Sequence, residues 1–354
     1  MPRRKSTRRK PPNPRPSSRK HLLKRYRWVL VGTGVSLLLI VGLQFWVPVQ
    51  LSQKRAWKIS FSPQERKAYA DSLRQILPSW SVWHWLTYLT LPKPGHYQIG
   101  PEEKAYKVFE RLRKGIQTPI RLYLPPQRSP FHLASFLSRN LAYDSLAWIS
   151  TFLSYPWEKY GLNSDTWLVL FIPDVYEVYW TISPETLIER LYQSYERFWN
   201  SERRQKAEAL GLTPVEVTIL ASIIEWETSR PSEKPLIASV YLNRLRIGMP
   251  LQADPTVIYA TRDFLTQRVT QKHLLVDSPY NTYQRRGLPP GPIGTPSPNS
   301  IEAVLHYTPS NYLYFCARPD GSGYHDFSAT YTEHLQKARS YQKALTRWLA
   351  QKKK

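Results

Sequence analysis

Twenty-two consecutive residues without a charge, WVLVGTGVSLLLIVGLQFWVPV from Trp28 to Val49, constrain this chain more than any other stretch. Coiled at about 1.5 Å per residue they reach roughly 33 Å, enough to cross a bilayer core of about 30 Å. The run therefore reads as a transmembrane helix, with Trp28, Phe45 and Trp46 near its ends, where aromatic rings favour the membrane interface. A cleaved signal peptide fits less well. The basic region before it is too long, the apolar run exceeds a signal core, and no small-x-small site follows.

Charge fixes the orientation. The chain carries a net charge of +24, which points to a membrane surface, nucleic acid or another anionic polymer. Residues 1–27 hold twelve Lys and Arg and no acid, half of that surplus. The positive-inside rule then puts 1–27 in the cytoplasm as a basic tail, 28–49 in the inner membrane as a single pass, and the rest outside the cytoplasm. Since topology accounts for the tail, no nucleic-acid partner is expected. The single cysteine, Cys316, excludes an intrachain disulfide and reads as a small buried apolar side chain.

The exterior portion divides by texture into an α+β module over 50–120 and a larger mixed α/β domain over 121–354. RKAYADSLRQIL and KAYKVFERLRKGI space apolar residues at helical intervals, and LPKPGHYQIG reads as a turn feeding a strand. Between the helices lies WSVWHWLTYLTL, whose aromatics suit a core, with a membrane surface or a sugar as alternatives.

In the larger domain, Thr213, Pro214 and Glu216 spell a capping box that starts a helix at Pro214 and carries it to about Thr228. Val217, Leu220, Ala221 and Ile224 cover one side and Ile219, Ile223 and Trp226 the opposite one, so the helix is buried. Its polar residues fall on one narrow seam, Thr218, Ser222, Glu225 and Ser229. That seam is either the solvent edge of the helix or the lining of a cleft, where Ile224 and Trp226 would raise the Glu225 carboxyl toward the pKa of a general acid. Glu227 projects about 160° away from Glu225, so the two cannot act as a pair. A second helix ending at Gly248, a loop through Gln252 and Asp254, a Pro/Gly/Asn loop with Tyr280, Asn281 and Tyr283, and a hairpin turning at Asp320-Gly321 follow. His306, His325 and His334 lack metal-ligand spacing and read as structural or exposed.

ASIIEWET, IASVYLNRLRIGMPLQADPTVIYA, SPYNTYQRRGLPPGPIGTP and NYLYFCARPDGSGYHDFSATYTEH, in that order and spacing, resemble the endolytic murein transglycosylases, the YceG-like family. The likeness covers about residues 205–340, with FIPDVYEVYW similar to a family segment upstream. It departs at LYLPPQRSPFHLASFL, where many relatives carry a Glu-Gly turn. The resemblance implies a LysM-like module over 50–120 and a membrane-anchored lyase. It would cleave the MurNAc-GlcNAc bond of peptidoglycan without water, leaving 1,6-anhydroMurNAc ends and terminating nascent strands.

It also implies Glu225 as the catalytic acid and base. Ser222, Asn243, Gln252, Asp254, Tyr280, Asn281 and Tyr283 are the expected substrate-binding residues, each with a structural role as its alternative. No metal and no cofactor are expected. The expected partners are glycan strands, the membrane, peptidoglycan synthases and division proteins. A catalytically inactive wall-binding scaffold is the alternative function. A metallopeptidase is disfavoured, because no ligand set of the usual spacing appears.

Overall fold

The computed structural model of the chain describes residues 18–266 and 268–352. The basic tail expected over 1–27 thus falls outside the described residues as far as position 17. The chain divides into two compact units, one ending at Thr118 and one beginning at Pro119.

In the first unit, α1 (Ser18–Gln44) is followed by β1 (Arg55–Ile59), α2 (Pro63–Ile76), α3 (Val82–Leu86), β2 (Gly95–Ile99) and α4 (Ala105–Lys114). Lys24–Gln44 of α1 is long and apolar enough to cross a membrane. The helix stops at Gln44, five residues short of the apolar run's end. Val47 and Val49 leave it to enter the core of the unit beside Trp57, Ile59, Tyr97 and Ile99. The cause is a tertiary competitor: Val47 accepts from the Ala105 amide and Val49 donates to Glu103, which an extended chain can do and a helix cannot. β1 and β2 pair antiparallel, with Trp57 opposite Tyr97.

The run expected as core between α2 and β2 is instead largely exposed. Trp80, Trp85, Tyr88 and Leu89 all face outward, and Trp83 turns in only part of the way.

The second unit opens with β3 (Ile120–Leu124), α5 (Pro130–Asn140), α6 (Ser145–Ser154) and β4 (Asp174–Val178), where β3 and β4 form an antiparallel pair. Then come α7 (Pro184–Phe198), α8 (Ser201–Ala209), α9 (Pro214–Glu227), α10 (Lys234–Arg246), α11 (Asp254–Thr261), α12 (Gln271–Leu274) and α13 (Pro298–Leu305). The hairpin β5 (Tyr314–Ala317) and β6 (His325–Ser328) precedes α14 (Tyr331–Lys352). Both units mix helices with two-stranded sheets, as the α+β reading expects.

α9 is the axis of this unit. Its capping box forms as the sequence dictates, Thr213 Oγ1 accepting from the Glu216 amide and Glu216 Oε2 from the Thr213 amide. Every residue from Val217 to Ile224 is buried, and each Leu or Ile contributes about 1.5–3 kcal/mol by leaving water. The helix packs on α10, α11 and α13, which bring the long loops of the domain to its C-terminal end.

One of those loops approaches without room for a side chain. A Cβ at Gly291 would sit 2.0 Å from the Asp165 carbonyl oxygen. Gly291→Ala is expected to destabilise the domain by about 1–3 kcal/mol, read as a lower thermal midpoint. An unchanged midpoint would show that the two loops part without cost.

Candidate active site

The C-terminal turn of α9 carries two carboxylates into different surroundings. Glu225 turns toward α13 and the start of α10. Its Oε2 accepts from Lys234 Nζ at 3.0 Å, Ser297 Oγ at 2.6 Å, the Ser297 amide at 3.2 Å and Ser300 Oγ at 2.5 Å. Lys234 also donates to Ser300 at 2.8 Å. The Lys234 and Glu225 side chains are 7% and 13% exposed, so this is a buried ion pair. Burial pushes the Glu225 carboxyl up, but the Ser297 and Ser300 hydroxyls and the Lys234 ammonium outweigh it and hold the pKa below the usual value. The expected upward shift at Glu225 is thereby corrected.

The polar seam follows the same pattern. Thr218 bonds back to the Pro214 carbonyl, and Ser222 donates to Ile219 while accepting from the Ile293 amide at 3.0 Å. Both side chains are buried. Along Thr218 and Ser222 the seam is buried, and at Glu225 the side chain remains 13% exposed. The seam is the internal joint by which α9 grips the Pro-rich loop and α13. Ser222 is consequently withdrawn from any ligand.

Glu227, on the other side of the helix, lines an open cleft of about 440 Å³. Around it stand Tyr241 and Arg244 of α10, Gln252, Asp254, Tyr283, residues of the β5–β6 hairpin including Cys316 and His325, and Tyr331 and His334 of α14. Burial drives the Glu227 carboxyl up, the negative charge of Asp254 adds to it, and a hydrogen bond from Tyr241 at 3.3 Å offsets part. The pKa is raised to about 7. A carboxyl poised near neutrality in a cleft is what general acid and base chemistry requires.

Three of the expected binding residues join it. Tyr283 donates to Asp254 Oδ1 at 2.5 Å, and Asp254 occupies the first turn of α11. Gln252 sits at the rim in the left-handed region, φ 48°, its amide donating to the Thr282 carbonyl. That fixed kink carries the chain from α10 into α11.

The other expected residues lie elsewhere. Asn243 donates to the carbonyls of Ser310 and Tyr312, tying down the chain that leads into β5. Asn281 is buried and donates to Leu274 and Val276 while accepting from the Tyr283 amide, so it shapes the loop that presents Tyr283. Tyr280 lines a different cavity, of about 290 Å³, with Asp165 and Tyr259.

Several cleft residues escaped the sequence reading. Tyr241 lies buried within α10, where no local sequence pattern marks it as a cleft residue. His325 is held by Glu233 through its ring at 3.0 Å and its amide at 2.7 Å, and it faces the cleft rather than solvent. Cys316 is partly exposed in the cleft wall rather than buried. Arg244 ties that wall together, donating to the carbonyls of Leu313 at 2.7 Å and Leu251 at 2.6 Å.

Comparison with known proteins supplies the context. The model of the YceG-like family matches residues 65–340. An endolytic murein transglycosylase of Bacillus subtilis (strain 168) is 45% identical over 122 residues, 34% of this chain and 33% of that protein. One from Streptococcus pneumoniae (strain D39) is 39% identical over 111 residues, 30% of this chain and 20% of the relative. The matched stretch thus spans a third or less of these relatives' length. A crystal structure of a yceG-like protein from Listeria monocytogenes superimposes with a TM-score of 0.54 at 26% identity, over 81% of this chain and 99% of that one.

Proposed function

The chain belongs to the YceG-like family, and from that premise we propose that it is a membrane-anchored lytic transglycosylase of peptidoglycan whose acid and base is Glu227 rather than Glu225. The observation that carries this reading is the carboxyl with a pKa of about 7 in the cleft beside Tyr241 and Asp254.

Glu227, protonated, gives its proton to the oxygen between MurNAc C1 and the GlcNAc leaving group. The C1–O bond breaks and positive charge develops at C1. Asp254, lining the same cleft with Tyr283 donating to its carboxylate, is the group that would stabilise that charge. Glu227, now ionised, takes the proton of the muramic C6 hydroxyl as its oxygen closes on C1. The product is a 1,6-anhydro ring, and no water is consumed. A single acid and base suffices where the 2-acetamido group assists, as in the substrate-assisted exceptions to two-carboxylate catalysis.

The first unit is read as anchor plus LysM-like module. Its strand-helix-helix-strand order, β1-α2-α3-β2, favours the second label. The apolar α1 following a basic tail favours a single pass with the larger unit outside the cytoplasm. A cut made beside the membrane would set the length of strands under synthesis, and synthases and division proteins are the partners that role calls for.

Digestion of purified glycan strands by the full-length protein in detergent, with products read by mass, tests the reading. Anhydro-terminated fragments are expected. Reducing ends would make it a hydrolase, and uncut strands would turn the reading to a wall-binding scaffold.

A further inference from the structure

Between Arg74 and Lys93 the chain carries no Asp, Glu, Lys or Arg. Such a segment ordinarily packs inside. Here Trp80, Trp85, Tyr88 and Leu89 are 65%, 61%, 58% and 79% exposed, and Val82 and Leu91 lie open beside them. A contiguous patch of large apolar side chains on a folded unit marks a surface that something covers.

What covers it follows from where the patch is fastened. Gln44, the last residue of α1, takes the start of α3 directly: its Oε1 accepts from the Val82 amide at 2.9 Å, and its carbonyl accepts from Trp83 Nε1 at 2.8 Å. Phe45 then packs edge-on against Trp83 and Tyr106 at 6.0 and 5.3 Å. These contacts tie α3 to the end of α1, so the patch sits near whatever depth that end occupies. Cations stand over the neighbouring rings, Arg74 above Tyr88 at 3.8 Å and Lys104 above Trp46 at 4.1 Å. Aromatic bodies flanked by cations suit the boundary between acyl chains and anionic headgroups.

We propose that residues 80–91 form an interfacial docking surface that lies in the outer leaflet of the bilayer crossed by α1, a proposal that rests on the reading of α1 as an anchor. Sugar is the poorer occupant. From Ile76 to Pro92 there is no Asp, Glu, Asn or Gln to meet hydroxyls, and His84 Nδ1 is turned inward to the carbonyls of Arg74 and Leu77.

The test uses the full chain with Cys316→Ser, an environment-sensitive fluorophore on Leu89→Cys, and vesicles of phosphatidylethanolamine and phosphatidylglycerol with or without brominated acyl chains. The label is expected to lose emission in brominated vesicles and to be shielded from aqueous iodide. Quenching by iodide with no response to bromine overturns the proposal, as does a label that responds only to added glycan strands. The same label on Leu38→Cys, within α1, separates the premises. If it is also blind to bromine, the anchor itself is wrong. If it is quenched while Leu89 is not, the anchor stands and the docking surface falls.

Discussion

Glu227→Gln is expected to lower kcat/KM on glycan strands by about 10²–10⁴-fold, the range that a positioned general acid contributes, while leaving the fold intact. Gln keeps the shape and can still accept from Tyr241, but it has no proton to give. Glu225→Gln should behave in the opposite way: its cost falls on the thermal midpoint, because Lys234 loses its counter-charge, and activity per folded molecule changes little. A variant pair in which Glu225→Gln abolishes cleavage at an unchanged midpoint, and Glu227→Gln does not, would return the role to Glu225.

The pH dependence tests the same assignment by a different measurement. With Glu227 as the acid of the first step, as proposed, wild-type kcat/KM should fall as pH rises through about 7. In the unfolded chain the same carboxyl titrates near 4.5. Its pKa is raised on folding, so the stability it contributes is present below about 4.5 and is lost as pH rises through about 7. Thermal midpoints of Glu227→Gln should lack that decline and exceed wild type at alkaline pH. A cleft carboxyl whose ionisation costs stability fits the stability–activity trade-off expected of functional sites.

Much of α9 was legible in the sequence because the signals are local. The capping box needs four residues, and apolar side chains right round the helix announce burial wherever it lies. The choice between Glu225 and Glu227 was not, because their partners come from far along the chain. Ser297 and Ser300 lie 72 and 75 residues beyond Glu225, and Tyr241 reaches Glu227 from 14 residues on. A helical wheel separates the two directions but cannot say which one meets packed hydroxyls and which a cleft.

Trp28 to Val49 reads from sequence as one apolar element, yet Val47 and Val49 are taken by the neighbouring core. The aromatic run before β2 has the composition of a core, yet Trp80, Trp85, Tyr88 and Leu89 face outward while Trp83 docks on Gln44. Asn243 and Asn281 show the same limit from the polar side. A loop asparagine looks free to bind sugar until the carbonyls it serves are seen.

The largest stability effect is expected at Lys234. With Lys234→Met the Glu225 carboxylate keeps its two serines but loses the only cation it pairs with among the described residues. Removing one partner of a buried pair costs about 3–5 kcal/mol, because the remaining charge stays desolvated. The double variant Lys234→Met, Glu225→Gln should recover a large part of that loss, since a neutral amide accepts from Ser297 and Ser300 without an ion to stabilise. If the two single effects simply add, the pair is not coupled and the joint between α9, α10 and α13 is held by packing alone. The gap between wild type and Lys234→Met should also narrow in acid. The Glu225 pKa is lowered in the wild type, so the stability it contributes is present above the unfolded value of 4.5 and is lost as pH falls below it. Without Lys234 there is less of that stability to lose.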